Sequence, residues 1–286
     1  MLTRRCVQRQ FLLRPDEKMN NAFIYCLVEA AQMYDIIIIL TQMMSNHHHT
    51  VLFDPKGNVV HFYQRFHTNL AKCVNALRHH SENVWATKPP SLVELVEADD
   101  VVDKIVYTAT NPVKDGLVEK MHSWPGPRTV AAMFNDKAMH ATRPGYLFRD
   151  DGPMPERVEL KFEIPTELGD PADVLARVRA GCIAVETAMA EGRARTNRRV
   201  LGRRNILRQS WRDAPETVEP RRRLQPRVAA RNPSARIEAL LRNRQFRVDY
   251  RDARARWLAG EHVVFPVGTY WLRWFANVPV ESATAH

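Results

Sequence analysis

The sequence has no long hydrophobic run and opens without an export signal. Its longest aliphatic stretch covers residues 36–40, whereas about 20 apolar residues are needed to cross a bilayer. No charged segment followed by an apolar one occurs at the start of the chain, so we expect no export. With 45% hydrophobic and 26% charged residues among 286, the composition also excludes collagen-like, mucin-like and mostly disordered proteins.

Cysteine is scarce and is not arranged for metal binding. The four cysteines, Cys6, Cys26, Cys73 and Cys182, include no C-x-x-C pair. Zinc ribbons and redox dithiols need closely spaced cysteines. The pattern therefore predicts structural thiols in a reducing compartment.

Lysine is absent from residues 191–260, where arginine supplies every basic side chain. This segment has 20 arginines and 7 acidic residues, and the whole chain has a net charge of +10. Such a surplus favours a polyanionic partner, and the planar guanidinium group binds phosphate with two parallel hydrogen bonds. The segment indicates a nucleic-acid surface. The alternative is a solvated helix surface encoded by a genome rich in arginine codons.

The first half of the chain has the periodicity of an α+β unit. Apolar residues recur at helical spacing in some segments and alternate or cluster as strands in others. Ser45-Asn46 supplies turn residues between two strands, which predicts a hairpin. The predicted helices cover residues 20–34, 59–78 and 98–110, with Asn111-Pro112 stopping or kinking the last, and the predicted strands cover residues 2–13, 35–42 and 47–53.

The second half is predicted to be mainly helical. It begins with a stretch rich in proline and glycine that is typical of a connector. An aromatic-rich segment at residues 270–275 is expected to pack in the core or to dock as a strand. The predicted helices cover residues 172–191, 197–211 and 237–259.

Three consecutive histidines form the first candidate site. On a strand, His47 and His49 share one face and His48 points to the other. Two imidazoles at this spacing can hold one divalent ion. The alternative is a set of polar loop histidines, because such pairs arise readily by chance in a chain with 11 histidines.

Tyr107 and Asn111 form the second candidate site, on a short amphipathic helix. Residues four positions apart lie on the same helix face, so a phenol and an amide oxygen project together. Ile105, Val106 and Ala109 are then expected to face the core. Ordinary packing of an isolated tyrosine is the alternative.

Together the two sites resemble the single-tyrosine HUH transposases, and most closely the REP-associated tyrosine transposases. The motifs that carry this resemblance are Asn46-His47-His48-His49 at a hairpin, Tyr107-x-x-x-Asn111-Pro112-Val113-x-x-Gly116-Leu117-Val118 on a helix, and the opening Thr3-Arg4-Arg5-Cys6-x-Gln8-Arg9-Gln10-Phe11-Leu12-Leu13. The resemblance implies a ferredoxin-like HUH nuclease domain, an antiparallel sheet with helices on its faces, over residues 1–126. A connector is then expected over residues 127–155 and a basic, mainly helical accessory region over residues 156–286.

The resemblance also implies a role for each site residue. His47 and His49 match the metal-binding histidines, Tyr107 matches the nucleophile, and Asn111 matches a further metal ligand. The implied metal is Mg²⁺ or Mn²⁺. His48 departs from the family, which usually has a bulky apolar or aromatic residue there, and a histidine facing the core must be neutral or hydrogen-bonded.

The implied activity is nicking and strand transfer of single-stranded or hairpin DNA through a 5′-phosphotyrosine intermediate. A domesticated DNA-binding protein with little catalysis is the first alternative, and an unrelated metal-dependent hydrolase using His47 and His49 is the second. We expect a cytoplasmic protein, associated with the nucleoid when bound to DNA, with no membrane partner and no nucleotide cofactor, and a homodimer is left open. Expected contacts to the DNA backbone are Arg4, Arg5, Arg9 and Arg65.

Overall fold

In the computed structural model of this chain, residues 1–218 and 226–281 are described, and a four-stranded antiparallel sheet forms the centre of the first half. Its strands are β1 (Leu2–Arg5), β2 (Ile37–Met43), β3 (His47–Phe53) and β4 (Ser91–Leu92), in the order β2-β3-β1-β4. All three pairings between neighbours are antiparallel. The protein is therefore α+β, and this strand order is compatible with a ferredoxin-like fold.

Helices α1 (Glu17–Tyr34) and α2 (Val59–Arg78) cover one face of the sheet. The Asp16 carboxylate accepts a hydrogen bond from the Met19 backbone N–H at 3.0 Å, which caps the start of α1. Between the helices and the sheet lies an aromatic core that includes Phe23, Phe62 and Phe66, all fully buried. Burial of such large apolar side chains fixes this layer on the sheet.

Helix α3 (Ala98–Lys114) covers the other face of the sheet. Ile105 and Ala109 pack with Ile39, Leu40 and Val51 in a second core cluster. The pairing of β2 with β3 is irregular between residues 38 and 40, and Ile38 belongs to the first cluster. Alternation along β2 directs Ile38 to the first core and Ile39 to the second, and the irregularity places Leu40 in the second core as well. The strand is therefore buried on both faces.

The helix predicted to stop or kink at Asn111-Pro112 in fact continues to Lys114. Proline removes one backbone donor, but the helix on either side is held by packing, because Ala109 and Val113 are fully buried. The Pro112 carbonyl accepts the backbone N–H of Leu117 at 3.0 Å, just beyond the end of the helix. The packing of these buried side chains thus stabilises the helix by more than the hydrogen bond that Pro112 cannot donate would contribute.

The predicted hairpin is confirmed, but the predicted opening strand is too long. The Met44 backbone N–H donates to the His47 carbonyl at 2.8 Å across the turn between β2 and β3. Strand β1 ends at Arg5, whereas the prediction ran to residue 13. The chain then bends through Gln8 and Arg9, whose φ angles of 48° and 61° no strand can contain.

The segment predicted as a connector, residues 127–155, contains regular structure. It includes α4 (Thr129–Phe134) and β6 (Met139–Thr142), and β6 pairs with β7 (Arg157–Leu160) across the predicted boundary at residue 155. This pair packs on α1, and Ala141 of β6 is buried in the same core as Phe23. Part of the segment therefore contributes to the first core.

The remaining described chain is mainly helical, as predicted. Helix α5 (Pro171–Thr196) packs against α3 through Val174, Val178 and Cys182. The helix predicted over residues 197–211 is only α6 (Arg203–Arg208), because Asn197 and Gly202 have φ angles of 49° and 83°. The further elements are β5 (Glu94–Leu95), β8 (Val228–Ala229), which pairs with β5 in parallel, α7 (Pro233–Leu258) and α8 (Trp271–Phe275).

Helix α8 replaces the strand that was one expectation for residues 270–275. Its aromatic side chains Trp271, Trp274 and Phe275 are exposed, so they are not core residues in the described chain. The four cysteines are all buried and free, which agrees with structural thiols. Among the described helices, none combines the length and the apolar character needed to cross a membrane.

Candidate functional site

Strand β3 places the three consecutive histidines on opposite faces of the sheet. His47 and His49 face α3, and the ring centroid of His49 lies 5.4 Å from that of Tyr107. His48 faces the other layer, with its ring centroid 5.2 Å from that of Phe66 in α2. The alternation expected for a strand is therefore confirmed.

His47 and His49 lie side by side, each held at its Nδ1 atom. Their ring centroids are 4.8 Å apart and the ring planes are at 82°. Nδ1 of His49 lies 2.9 Å from Thr3 Oγ1, and Nδ1 of His47 lies 2.7 Å from Asn46 Oδ1. A contact at one ring nitrogen orients the imidazole so that the other nitrogen can bind a metal. Both histidines would therefore coordinate through Nε2.

Burial keeps His49 in the form that a metal requires. Only 6% of its surface is exposed. Burial, followed by the charges of His47, His48 and Lys104, holds the pKa of His49 well below its ordinary value. A metal binds the neutral imidazole, so His49 does not need to lose a proton at neutral pH before binding.

Helix α3 presents Tyr107 and Asn111 one turn apart. Positions four residues apart share a helix face, and the opposite face is fixed by the buried side chains of Ile105, Ala109 and Val113. The Tyr107 ring lies toward β3, with its centroid 5.4 Å from that of His49. Tyr107, Asn111 and His49 all line one groove, and the roles that the motif implies for them stay predictions.

The Asn111 side chain fits a cation. It is buried, and within the described chain its Oδ1 atom accepts no hydrogen bond. A buried acceptor without a partner is costly, and a bound cation would satisfy it. The amide oxygen suits Mg²⁺ or Mn²⁺, whereas the two imidazoles suit softer divalent ions, so this mixed donor set fits Mn²⁺ better than Mg²⁺. Across residues 1–218 and 226–281, no group of three or more His, Cys, Asp or Glu side chains is placed to hold a metal.

Two lysines flank the Tyr107 ring. The ammonium groups of Lys104 and Lys114 lie 5.8 and 4.8 Å from its centroid, within the range of cation–π contacts. They sit three residues before and seven residues after the tyrosine, so helical spacing could have identified them. Positive charge on both sides of a phenol suits an anionic substrate such as a phosphodiester.

His48 is a core residue with a hydrogen-bond partner at each ring nitrogen. Its Nε2 lies 2.9 Å from His67 Nε2, and its Nδ1 lies 3.2 Å from Thr50 Oγ1. Burial is the main reason that the pKa values of both His48 and His67 lie well below the ordinary value. The sequence-based requirement that His48 be neutral or hydrogen-bonded is therefore met. The position thus carries no unpaired charge into the core.

A groove of about 1340 Å³ runs over this face of the sheet. His47, His49, Tyr107 and Asn111 all line it, together with residues 88–98. Ligand sites are commonly concave and combine apolar walls with a few polar groups. All four predicted site residues therefore border one space large enough for part of a nucleic-acid strand.

The four predicted DNA-contacting arginines are not brought together. Arg4 and Arg5 border the groove. Arg9 donates hydrogen bonds to the backbone and hydroxyl oxygens of Thr217. Arg65 forms an ion pair with Glu29 in the layer of α1 and α2, on the opposite side of the sheet. Arg5 shares the groove face with His47, whereas Arg4 lies opposite His48 with its guanidinium 5.7 Å from the Trp85 ring centroid. Only Arg5 is therefore placed for contact with a ligand in the groove.

Comparisons with protein-family models, with curated proteins and with solved structures found no match for this chain. The argument for a function therefore rests on the residues of the groove themselves.

Proposed function

We propose that this protein is a metal-dependent DNA-nicking and strand-transfer transposase of the single-tyrosine HUH class, acting on single-stranded DNA. The observation that carries the proposal is the meeting of four side chains in one groove. A phenol from α3 lies beside a pair of histidines from β3, and the buried Asn111 oxygen without a hydrogen-bond partner lies one turn from that phenol. His47, His49 and Asn111 would hold a divalent cation, which neutralises charge on the scissile phosphate.

Tyr107 would be the nucleophile of the reaction. Its phenol oxygen forms a bond to phosphorus while the bond from phosphorus to the 3′ oxygen breaks in line with it. The phenol proton is lost to solvent, and the departing 3′ oxygen takes up a proton to become a hydroxyl. The 5′ phosphate stays attached to the protein as a phosphodiester. Attack on this linkage by another 3′ hydroxyl reverses the step and joins two strands without ATP.

Lys104 and Lys114 would position the DNA backbone around the phenol. Their ammonium groups are close enough to the Tyr107 ring to attract the phosphate that the phenol oxygen attacks. Arg5, which lies opposite His47 in the sheet and borders the groove, would bind a neighbouring phosphate. These contacts bring the substrate into place before the bond changes occur.

A domesticated DNA-binding protein with the same fold is the second candidate. One feature of the sequence that favours this candidate is the departure of His48 from the family pattern. Because His48 has His67 and Thr50 as hydrogen-bond partners, that departure does not by itself imply a damaged strand. The catalytic proposal is therefore favoured over the binding-only one.

The test is covalent attachment of labelled single-stranded oligonucleotides to the purified protein. The oligonucleotides are taken from both flanks of the protein's own gene and incubated with Mg²⁺ or Mn²⁺, and the products are separated on a denaturing gel. We expect a band at the mass of protein plus DNA that disappears with EDTA. Tyr107→Phe should abolish the band completely, since it removes the phenol oxygen that would form the linkage.

Tyr63→Phe is the matched control. Tyr63 lies on α2 and packs against the core on the opposite side of the sheet, so its loss should leave the covalent band unchanged. A band that persists in Tyr107→Phe contradicts the assigned nucleophile. DNA that shifts on a native gel but never becomes covalently attached with either metal supports the binding-only candidate instead.

A further inference from the structure

Helix α7 has one packed face and one bare face. Ala239 and Ala253 are buried, and Tyr250 and Trp257 lie against Phe265. These side chains define the side of the helix that contacts the rest of the protein. Within the described chain the other face of α7 is exposed, and its composition is strongly biased.

Four arginines form a stripe along that bare face, which we call the arginine stripe: Arg244, Arg247, Arg251 and Arg254. They follow one another at intervals of three, four and three residues and are all exposed. At about 100° per residue they fall within an arc of about 80°, and at 1.5 Å per residue they span about 15 Å. The helix thus presents one continuous row of positive charge.

The arginine stripe has no compensating acids within the described chain. None of its guanidinium groups lies within 4.0 Å of a described carboxylate. The acidic residues of α7, Glu238, Asp249 and Asp252, fall on the far side of the helix by the same rotation. Like charges one turn apart repel each other and weaken the helix. The stripe therefore lowers the stability of α7 unless a polyanion neutralises it.

Some exposed arginines of the chain are paired with acids. Arg177 pairs with Asp99 and Arg231 with Asp103, both on α3, and Arg242 pairs with Glu94 at 3.4 Å. Arg256 of α7 pairs with Glu261 at 2.8 Å. Because each already has an acidic partner, these four arginines are charge-matched controls for the stripe.

The stripe has no aromatic side chain that could stack on a base. The aromatic residues of α7 are Phe246, Tyr250 and Trp257, and all three lie toward the packed side. Proteins that bind single strands combine positive charge with stacking platforms, whereas duplex backbones are held by phosphate contacts alone. The absence of aromatic residues from the stripe favours a duplex.

We propose that the arginine stripe of α7 binds the phosphate backbone of duplex DNA without reading its sequence. Asn243, at the near end of the stripe, borders the groove that contains Tyr107, so a duplex bound there would lie next to that groove. The inference goes beyond the proposed nicking activity, because it requires neither Tyr107 nor a metal. An experiment can therefore confirm or contradict this inference independently of the catalytic proposal.

The test is the salt dependence of binding to a labelled duplex of about 20 base pairs with an arbitrary sequence. Each neutralised phosphate contributes about 0.9 to the slope of log K against log salt concentration. Replacing the four stripe arginines by glutamine should therefore reduce the magnitude of the slope by about three to four. Two double variants, R244Q/R251Q and R247Q/R254Q, should each reduce it by nearly two and guard against misfolding of the quadruple variant.

A control variant removes the same number of charges from paired arginines. R177Q/R231Q/R242Q/R256Q also lowers the net charge by four, and we expect its slope to change by less than about one. A stripe of lysines at the four positions should keep the wild-type slope, because the slope counts charges. Tyr107→Phe should bind the duplex like wild type, and the stripe variant should still form the covalent adduct with single-stranded DNA.

Three results would overturn the inference. The first is an unchanged slope in both double variants, confirmed to be folded by circular dichroism. The second is an equal loss of slope in the control variant, which would indicate general charge rather than this surface. The third is tighter, stripe-dependent binding of a single strand or of polyglutamate than of the duplex, which would assign the stripe to a different partner.

Discussion

The two faces of strand β3 use the same residue type for opposite purposes. His47 and His49 border a groove beside Tyr107, whereas His48, between them, lies in the core against Phe66 and His67. The chemical groups are identical, so the difference comes only from what each side of the sheet packs against. A one-residue shift in register would exchange the two sets.

This comparison separates function from stability along a single strand. Histidines on the groove face have partners that orient them, with room for a ligand nearby. The histidine on the core face has both nitrogens occupied by protein atoms and no access to a ligand. Substitutions on the groove face should therefore affect activity and those on the core face should affect folding.

The largest effect is expected from removing a histidine on the groove face. His47→Ala or His49→Ala should lower the rate of covalent attachment by at least about 100-fold, because the phosphate loses its cation. The free energy of unfolding should change by less than about 1 kcal/mol. Attachment rates measured with single-stranded DNA in excess, and urea unfolding of the same samples, check both expectations.

His140→Ala is the matched control for these two variants. His140 is an exposed residue of β6 that does not line the groove, so its loss should leave the attachment rate unchanged. If the attachment rate of His49→Ala stays within a few-fold of the wild-type rate, His49 does not hold the metal. The functional role proposed for the groove face of β3 would then be contradicted.

Removing the core-facing histidine should destabilise the fold. His48→Ala leaves a cavity among the surrounding aromatic rings and strips the hydrogen-bond partner from His67 Nε2. Both effects lower the free energy of unfolding, together by about 2–4 kcal/mol. The attachment rate per folded molecule should stay within about threefold of wild type, and urea unfolding with an active-site titration measures the two quantities. Wild-type stability in this variant would contradict the core assignment of His48.

Local patterns were sufficient to predict the parts of the molecule that depend on nearby residues. The hairpin, the helix that carries Tyr107 and the opposed directions of His48 and His49 all follow from spacing within a single element. His47, His49, Tyr107 and Asn111 line one groove, while the roles that the motif implies for them stay predictions. Short-range periodicity contains enough information for these features.

Contacts between distant segments could not be predicted from such patterns. The hydrogen bond from Thr3 to His49 depends on the register of β1 with β3, and the pair of His48 and His67 depends on how α2 packs. The pairing of β6 with β7 joins a segment that proline and glycine content marks as a connector to the segment that follows it. The left-handed backbone conformation of Asn197 interrupts the helix that the surrounding arginines favour by their intrinsic propensity.

Lowering the pH should weaken the fold through the core-facing pair. The pKa values of His48 and His67 lie well below their ordinary value of 6.5, mainly because of burial, with the positive charge of Arg4 facing both rings. Both rings are therefore neutral in the fold. The unfolded chain takes up protons below pH 6.5, so stability is full above that pH and is lost as the pH falls.

At pH 5, the loss should reach at most about 2 kcal/mol per imidazole. Urea unfolding at pH 7.5 and pH 5, with EDTA present to keep metals from the groove, measures it. The double variant His48→Phe/His67→Leu removes both groups and their hydrogen bond together, and its stability should fall less between the two pH values. An equal pH dependence in wild type and double variant would assign the acid sensitivity to other groups.

The smallest effect is expected from the hydroxyl groups that orient the histidines. Thr3→Val removes the partner of His49 Nδ1, so the metal concentration for half-maximal attachment should rise by about tenfold. Thr50→Val removes the corresponding partner of His48 Nδ1 on the other face. This second variant should leave the metal requirement unchanged and lower the free energy of unfolding by about 1 kcal/mol. Metal titrations and urea unfolding of both variants would show whether the division between the two faces extends from the imidazoles to the threonines that hold them.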